Sequence, residues 1–336
     1  MILIHEFMPF MTAYQNLIQR LNRHDANQCH LGMITLASTR RPMRGVLLIL
    51  AAVFLFACMD TTGKYLAGRY PVPFFAAMRY TVNLILLVAI FAPKHGGELL
   101  RIERKVLVLL RGAALATSSL FAGLALREMP LAETVAIIYL APFGVLLLSG
   151  PLLKEPVQLS SWIATAIGFL GLILIVRPGG GLAPIGIFYG LMTIAGTITY
   201  HMLSRGLAKT ENTLGLLFYS ALVGTIFFGA MLPWNLPQAV PGPLDMVLLL
   251  ALGALAMLGH LLFTAAYREA PVSLLTPVNY MHLAWAAVLG WLVFDHVPDA
   301  ISIVGIALVA VAGAGNALWN HFSNSSTLTA IEPEEV

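Results

Sequence analysis

Ala125-Leu126-Arg127-Glu128-Met129-Pro130 and Ala266-Tyr267-Arg268-Glu269-Ala270-Pro271 are two versions of one turn. The offset that lays one on the other also lays Tyr139 on Tyr280. In both copies a long apolar stretch runs into Arg-Glu-x-Pro, and another begins directly after it. Proline opens a helix at little cost, because the N–H it lacks would have no partner in the first turn. The recurrence predicts a chain made of two related halves, each carrying this turn between its third and fourth apolar stretches.

Working outward from the turns, runs nearly free of Asp, Glu, Lys and Arg fall near 45–66, 72–92, 106–126, 131–150, 158–176, 183–204, 213–233, 245–267, 272–293 and 299–319. A helix that crosses a bilayer needs about 20 mostly apolar residues, and each run meets that length. Apolar residues make up 59% of the chain and charged residues 10%. A soluble domain carries about 25% charged residues, and one this apolar would expose large patches that associate. The predicted class is an all-α membrane protein with ten transmembrane helices, in contact with a lipid bilayer. Five spans per half is an odd number, so the second half must cross with opposite polarity. Two inverted five-helix repeats are the architecture of secondary transporters, which open a central site alternately to either side.

The expected boundaries follow from the same pattern. Residues 1–43 form a polar N-terminal tail, disordered or ahead of a native start at Met33 or Met43. Residues 44–180 make the first repeat, 181–322 the second, and 323–336 a disordered acidic tail. Lys and Arg favour cytoplasmic loops. Placing both termini in the cytoplasm puts Arg40, Arg41, Arg44, Lys94, Arg101, Arg104, Lys105 and Lys154 inside, so that orientation is expected, in a bacterial inner (plasma) membrane.

Several functions are excluded or demoted. The net charge is only +3, with basic residues scattered between apolar runs, which is not the clustered face of a nucleic-acid binder. The cysteines, Cys29 and Cys58, are too few for a disulfide framework or a metal cluster. The chain holds no G-x-x-x-x-G-K-[ST], H-E-x-x-H or C-x-x-C motif, and no catalytic, metal or cofactor set is expected. A membrane-embedded enzyme acting on a lipid or isoprenoid is the alternative. It would need acids or histidines clustered near one interface, and acids are few.

Particular residues then resemble a known family. Met59-Asp60-Thr61-Thr62-Gly63-Lys64-Tyr65-Leu66, Arg69-Tyr70-Pro71, Ala77-Met78-Arg79-Tyr80, Met129-Pro130-Leu131-Ala132-Glu133-Thr134-Val135-Ala136-Ile137 and Ala141-Pro142 are similar to the EamA-type carriers of the drug/metabolite transporter superfamily. The resemblance spans about residues 44–319. Leu152-Leu153-Lys154-Glu155-Pro156 looks like the family's Leu-Gly-Glu element with Lys154 in place of glycine, whereas Phe294-Asp295-His296 stands where the second acid would be. Asp60 and Glu133 with their flanks look like the branch that includes carriers of S-adenosylmethionine and riboflavin. The resemblance implies ten helices in a five-plus-five inverted arrangement and a small-molecule substrate, and leaves a homodimer open.

Candidate gating and binding residues come from polar groups inside spans. Intramembrane charges are costly and usually face a cavity or a partner. Asp60 and Lys64 are four residues apart on one helix face, and Arg79 and Glu133 join them in an expected exchangeable network at an outer vestibule. The bland reading is fixed pairing, or snorkelling to the interface. Deeper, His260, Thr264 and Tyr267 make one stripe, and Thr193, Thr197, His201 and Ser204 another. Asn279, Tyr280, His282 and Trp285 cluster after Pro277, with Tyr139 and Pro142 at the matching place in the first half. Helix breaks at the two prolines would free carbonyls for a cargo. Interhelical hydrogen bonding is the simpler use of such residues. Gly186 and Gly190 form a G-x-x-x-G, more often a packing device than a functional one.

Overall fold

The computed structural model describes residues 42–145, 159–177, 181–207, 210–270 and 272–329. The N-terminal tail, the element at 152–156 and residues 178–180 lie outside the described residues. Regular structure among the described residues is helical throughout.

The helices follow the apolar runs. They are α1 (Pro42–Ala67), α2 (Val72–Leu100), α3 (Lys105–Glu128), α4 (Leu131–Ile138), α5 (Leu159–Val176), α6 (Pro184–Leu207), α7 (Thr213–Met231), α8 (Pro243–Glu269), α9 (Val272–Asn279), α10 (Met281–Phe294) and α11 (Ala300–Thr329). A single 3₁₀ turn, Leu232–Trp234, ends α7. Among the described residues, α1, α2, α3, α7 and α8 are long and apolar enough to cross a bilayer, and shorter apolar helices cover Leu131–Val145, Trp162–Val176, Met281–Phe294 and Ala300–Asn316. Leu47, Ile85, Phe169, Val247 and Leu292 are among the many large apolar side chains left on the outside, the distribution lipid tolerates and water does not.

Three boundaries differ from the sequence expectation. α2 runs past 92, continuing through Pro93 to Leu100 with a kink at His95 (φ −132°, ψ 25°). Proline cannot donate to the turn before it, so the helix bends there without ending. α11 continues to Thr329, past Ser323, where a tail was expected to begin. A nucleated helix propagates through polar residues at small cost, so apolarity marks the span and not the helix end. The breaks in the fourth and ninth spans also fall elsewhere than at Pro142 and Pro277. They lie at Tyr139 and Leu140 and at Tyr280, leaving α4 and α9 as matching eight-residue helices. Pro142 explains the first break, because the Ile138 carbonyl loses its donor and Leu140 N–H turns to Ile137 O at 3.1 Å. The second break comes three residues after Pro277, where the Leu283 N–H closes a short turn on Tyr280 O at 3.0 Å.

Helix neighbours recur in swapped form. α3 packs on α6 and α7, while α8 packs on α1 and α2; α2 also packs on α7, and α5 on α11. Small residues make the closest crossings. A Cβ on Gly171 would meet the Gly305 carbonyl oxygen at 2.6 Å, and one on Gly305 would meet the Gly171 oxygen at 2.7 Å. Gly186 faces Met129 and Gly190 faces Ile137, so the G-x-x-x-G seats α6 on the Arg-Glu-x-Pro turn and α4.

Each end of the bundle is tied by a different chemistry. At the α1–α2 end, Tyr70 Oη donates to Asp245 Oδ2 at 2.7 Å, and Arg69 lies 3.7 Å from the same carboxylate. That hydrogen bond raises the Tyr70 phenol above its ordinary value. At the α2–α3 end, Glu211 accepts from the backbone N–H groups of Glu103 (2.9 Å) and Arg104 (2.8 Å). Asn212 there donates to the carbonyls of Glu98 and Arg101 and caps α7 through Gly215 N–H.

Candidate functional site

The two helix breaks meet. Tyr139 Oη, at the end of α4, donates to the Asn279 carbonyl at 3.1 Å and lies 3.1 Å from His282 Nδ1. The Tyr139 and Tyr280 rings touch edge to face at 5.3 Å. On its far side His282 presents Nε2 to Asp60 Oδ2 of α1 at 3.3 Å, without the alignment of a hydrogen bond. This geometry counts protons. A hydroxyl that donates to Asn279 can accept from Nδ1–H, and in that neutral tautomer Nε2 carries a lone pair. A lone pair facing a carboxylate oxygen is repulsive unless one proton sits on the ring or the acid. The buried His282 ring thus lies between the Tyr139 hydroxyl and the partly exposed Asp60 carboxylate.

Glu133, at the start of α4, is 3% exposed. One oxygen lies 3.0 Å from His296 Nε2, and the other is buried with no hydrogen-bond partner. Lys64 stands close enough for the Glu133 charge to act on it, but its ammonium donates to backbone, to Leu126 O at 2.9 Å and Met129 O at 2.6 Å. It thus satisfies carbonyls that the Arg-Glu-x-Pro turn leaves open.

The four charges expected in one network are not gathered in one place. Lys64 and Glu133 come together with His296, and Asp60 is turned to His282. Arg79 sits apart on α2, its guanidinium 4.7 Å from the Tyr80 ring centre, and no carboxylate among the described residues lies within ion-pair distance of it. The separation follows from helix geometry: Asp60 and Lys64 share a face but stand a turn apart in depth, so each meets a different layer of neighbours.

The deeper residues divide as well. His260 is exposed on α8. Its ring meets Phe56 of α1 at 5.1 Å, and Arg79 and Arg111 are the charges that act on it. Trp285 packs edge-on against Phe54 at 5.0 Å, with its buried indole N–H unpartnered. Asn279 takes part through its carbonyl, and Tyr280 lies directly against Gly313 of α11 as a packing ring. Most of the α6 stripe clamps α6 to α3: Ser118 Oγ bonds Thr193 O and Thr197 Oγ1.

Arg111 and His296 escaped sequence reasoning as site residues. Arg111 is 5% exposed and spends its donors on neutral groups. Nε donates to Ser204 Oγ (2.7 Å), Nη1 to Ser220 Oγ (2.6 Å) and Leu216 O (3.0 Å), and Nη2 to Tyr200 Oη (2.8 Å), with that ring 4.5 Å away. Its signal was a lone arginine in an apolar run, matched by Tyr200 and Ser204 one turn apart on another run. His296 had a fainter signal, the Asp-His in place of the family's second acid.

Comparison with known proteins joins this geometry to a lineage. The pseudopaline exporter CntI of Pseudomonas aeruginosa is 27% identical over 270 residues, which cover 80% of this chain and 94% of that protein. The riboflavin transporter of Vibrio cholerae is 24% identical over 289 residues, covering 83% and 94%. The S-adenosylmethionine uptake transporter of Rickettsia prowazekii is 23% identical over 278 residues, covering 80% and 91%. A solved crystal structure at 20% identity shares the fold with a TM-score of 0.59, over 82% of this chain and 98% of its own. These relatives are named as transporters and not as enzymes, which sets the lipid or isoprenoid enzyme aside. The sequence profile of the EamA-like transporter family matches twice, over residues 43–177 and 184–316, so the chain belongs to that family, within the drug/metabolite transporters, and is a multi-pass membrane protein.

Proposed function

We propose that the chain is a secondary carrier that moves a small polar organic metabolite across a bacterial inner membrane by alternating access. In this reading ten spans form two oppositely threaded five-helix halves, with both termini in the cytoplasm. The observation that carries it is the junction of Tyr139, His282, Asn279 and Asp60, where broken helices from the two halves share one hydrogen-bond chain. Broken helices facing each other near the middle of an inverted repeat are where secondary transporters bind cargo and coupling ion.

The swapped helix neighbours support the inverted threading. Exchanging the halves turns the α3–α6 contact into the α8–α1 contact and α3–α7 into α8–α2, while α2–α7 and α5–α11 map onto themselves. The cargoes in the relatives' names, pseudopaline, riboflavin and S-adenosylmethionine, support a small organic molecule as substrate. The contact of an acid with a histidine at this junction, Asp60 with His282, makes proton coupling the form of the cycle to test first.

Counterflow in proteoliposomes tests the reading. A thermal-shift screen of amino acids, nucleosides, methylated cofactors and flavins supplies the trial cargoes. Saturable, counterflow-competent uptake that responds to an imposed pH gradient and is lost with an uncoupler is the expected result. Flux that rises linearly with concentration and shows no counterflow rejects a carrier in favour of a channel. Accessibility labelling that puts 127–130 and 268–271 on one side of the membrane rejects the inverted threading.

A further inference from the structure

We infer that the cleft between α10 and α11 holds one acyl chain of a bilayer lipid, seated against Tyr280. The inference goes beyond the carrier reading and needs only the multi-pass membrane character already shown.

The sequence makes the cleft. Residues 295–299 alone join α10 to α11, yet α10 packs on α1 and α4, and α11 on α5 and α9. Two consecutive helices drawn to different neighbours leave a gap between them. Ala284 and Ala287 on α10, and Ala307, Ala310 and Ala314 on α11, recur at three- and four-residue spacing and line the gap, so each helix turns a strip of small side chains toward it. The gap is a cavity of about 630 Å³ with an almost wholly apolar lining. Tyr280 lies at one end of α10's wall, and Val297 and Pro298 follow the other. Val288, Trp291, Ile303 and Val311 also line it and are exposed, so the cleft opens to the outside of the bundle.

Its length fits one leaflet. Tyr280 to Trp291 on one wall and Ile303 to Ala314 on the other each rise about 16 Å. The hydrocarbon core is about 30 Å thick, so each leaflet contributes about 15 Å. Trp291, half-exposed near the end of α10, has the character of an interfacial aromatic anchor. Just past Pro298, Asp299 pairs with Arg177 at 2.7 Å, a charged group suited to headgroup level. The mouth of the cleft is thus at the interface, and Tyr280 is near the middle of the bilayer. A helix from a second copy would follow a whole span, about twice that depth. Water has no polar partners along such a wall. Left empty, the lining atoms would lose their contacts on one side, and a flexible methylene chain restores them.

Tyr280 also belongs to the junction. Its ring meets Tyr139 edge to face at 5.3 Å and lies directly against Gly313 of α11. The seated acyl chain therefore packs on a ring that itself packs on the meeting point of the two broken helices.

A photoreactive lipid tests the site without knowledge of the cargo. Full-length protein is reconstituted in phosphatidylcholine vesicles with a trace of phosphatidylcholine carrying a diazirine at the end of one acyl chain. After illumination the adducts are mapped by peptide mass spectrometry. Adducts should concentrate at the deep end of the cleft, around Ala284, Ala310 and Ala314. The reference is the lipid-exposed face of α7 around Ile226. The expected excess is about tenfold, equivalent to about 1.4 kcal/mol. Ala284→Phe with Ala307→Phe, which fills the cleft, should bring that labelling down to the Ile226 level and leave the Ile226 labelling unchanged. Equal labelling of cleft and α7 face in the unaltered protein overturns the site, and this arm does not depend on any variant folding. Disulfide-linked dimers formed through Ala307→Cys, in protein carrying Cys29→Ser and Cys58→Ser, would give the cleft to a second copy and overturn it as well.

Discussion

The buried acids and the buried guanidinium are housed in opposite ways. Glu133 and Asp60 each face a histidine, a base whose charge changes near neutral pH. Arg111 faces hydroxyls, a carbonyl and a ring, none of which titrates near neutrality. The acids are thus met by nitrogen bases, whereas the guanidinium is met by neutral acceptors. The acid pockets also join helices from different halves, α1 and α4 against α10 and the turn after it.

Removing charge from each pocket in turn separates the two designs. The largest losses are expected for Glu133→Gln and Arg79→Ala, which should bring counterflow to background while the protein still elutes as a folded species. Normal transport in both variants would leave these residues with no part in the cycle. Arg111→Met comes next. The substitution takes a donor from Ser204, Leu216, Ser220 and Tyr200, so its melting temperature should fall modestly. Transport should fall about tenfold, as expected for a lost charge about 10 Å away. A collapse in stability would make Arg111 a structural clamp instead. His282→Phe should cost several-fold in rate and abolish the proton uptake that accompanies transport, followed with a pH-sensitive dye inside the liposomes. Unchanged proton uptake would move coupling to another group.

The smallest effect concerns neither pocket. Asp299 caps α11 through Ser302 N–H at 2.7 Å and pairs with Arg177 at 2.7 Å, and these bonds hold its carboxyl below the usual range. Its stabilising contribution is present above about pH 4. It is lost as the pH falls through the lowered folded value. Asp299→Asn keeps a cap acceptor but loses the ion pair, so it should be slightly less stable at neutral pH. The difference from the parent protein should close in acid, as read by thermal melts across pH.

The apolar helices were legible because lipid imposes a length and an apolarity that few other environments demand, and five of those described are long enough to cross it. The meeting of Tyr139 with Tyr280 was half legible: the offset paired the two tyrosines, but not the hydrogen bond from one break to the backbone of the other. The prolines misled by up to a turn, because a missing N–H frees a carbonyl on the preceding turn and, at Tyr280, the short turn forms after the proline. Asp60 and Lys64 share a helix face in sequence, yet depth along the helix assigns them to different partners. Arg111 is the single charge of the third run, and one residue in a span does not reveal which neighbours carry the hydroxyls that receive it. His296 stood in a departure from the family pattern, and only the folded chain brings it to Glu133 from 163 residues away.

The contact between Gly171 and Gly305 carries a mechanical consequence. Two helices whose backbones touch at a carbonyl cannot slide or tilt without opening a void that no side chain is there to fill. α5 and α11 are thus held at a fixed crossing. At Gly186 and Gly224 the close neighbours are instead the Met129 and Tyr80 side chains, which can change rotamer, so those crossings have more room to shift.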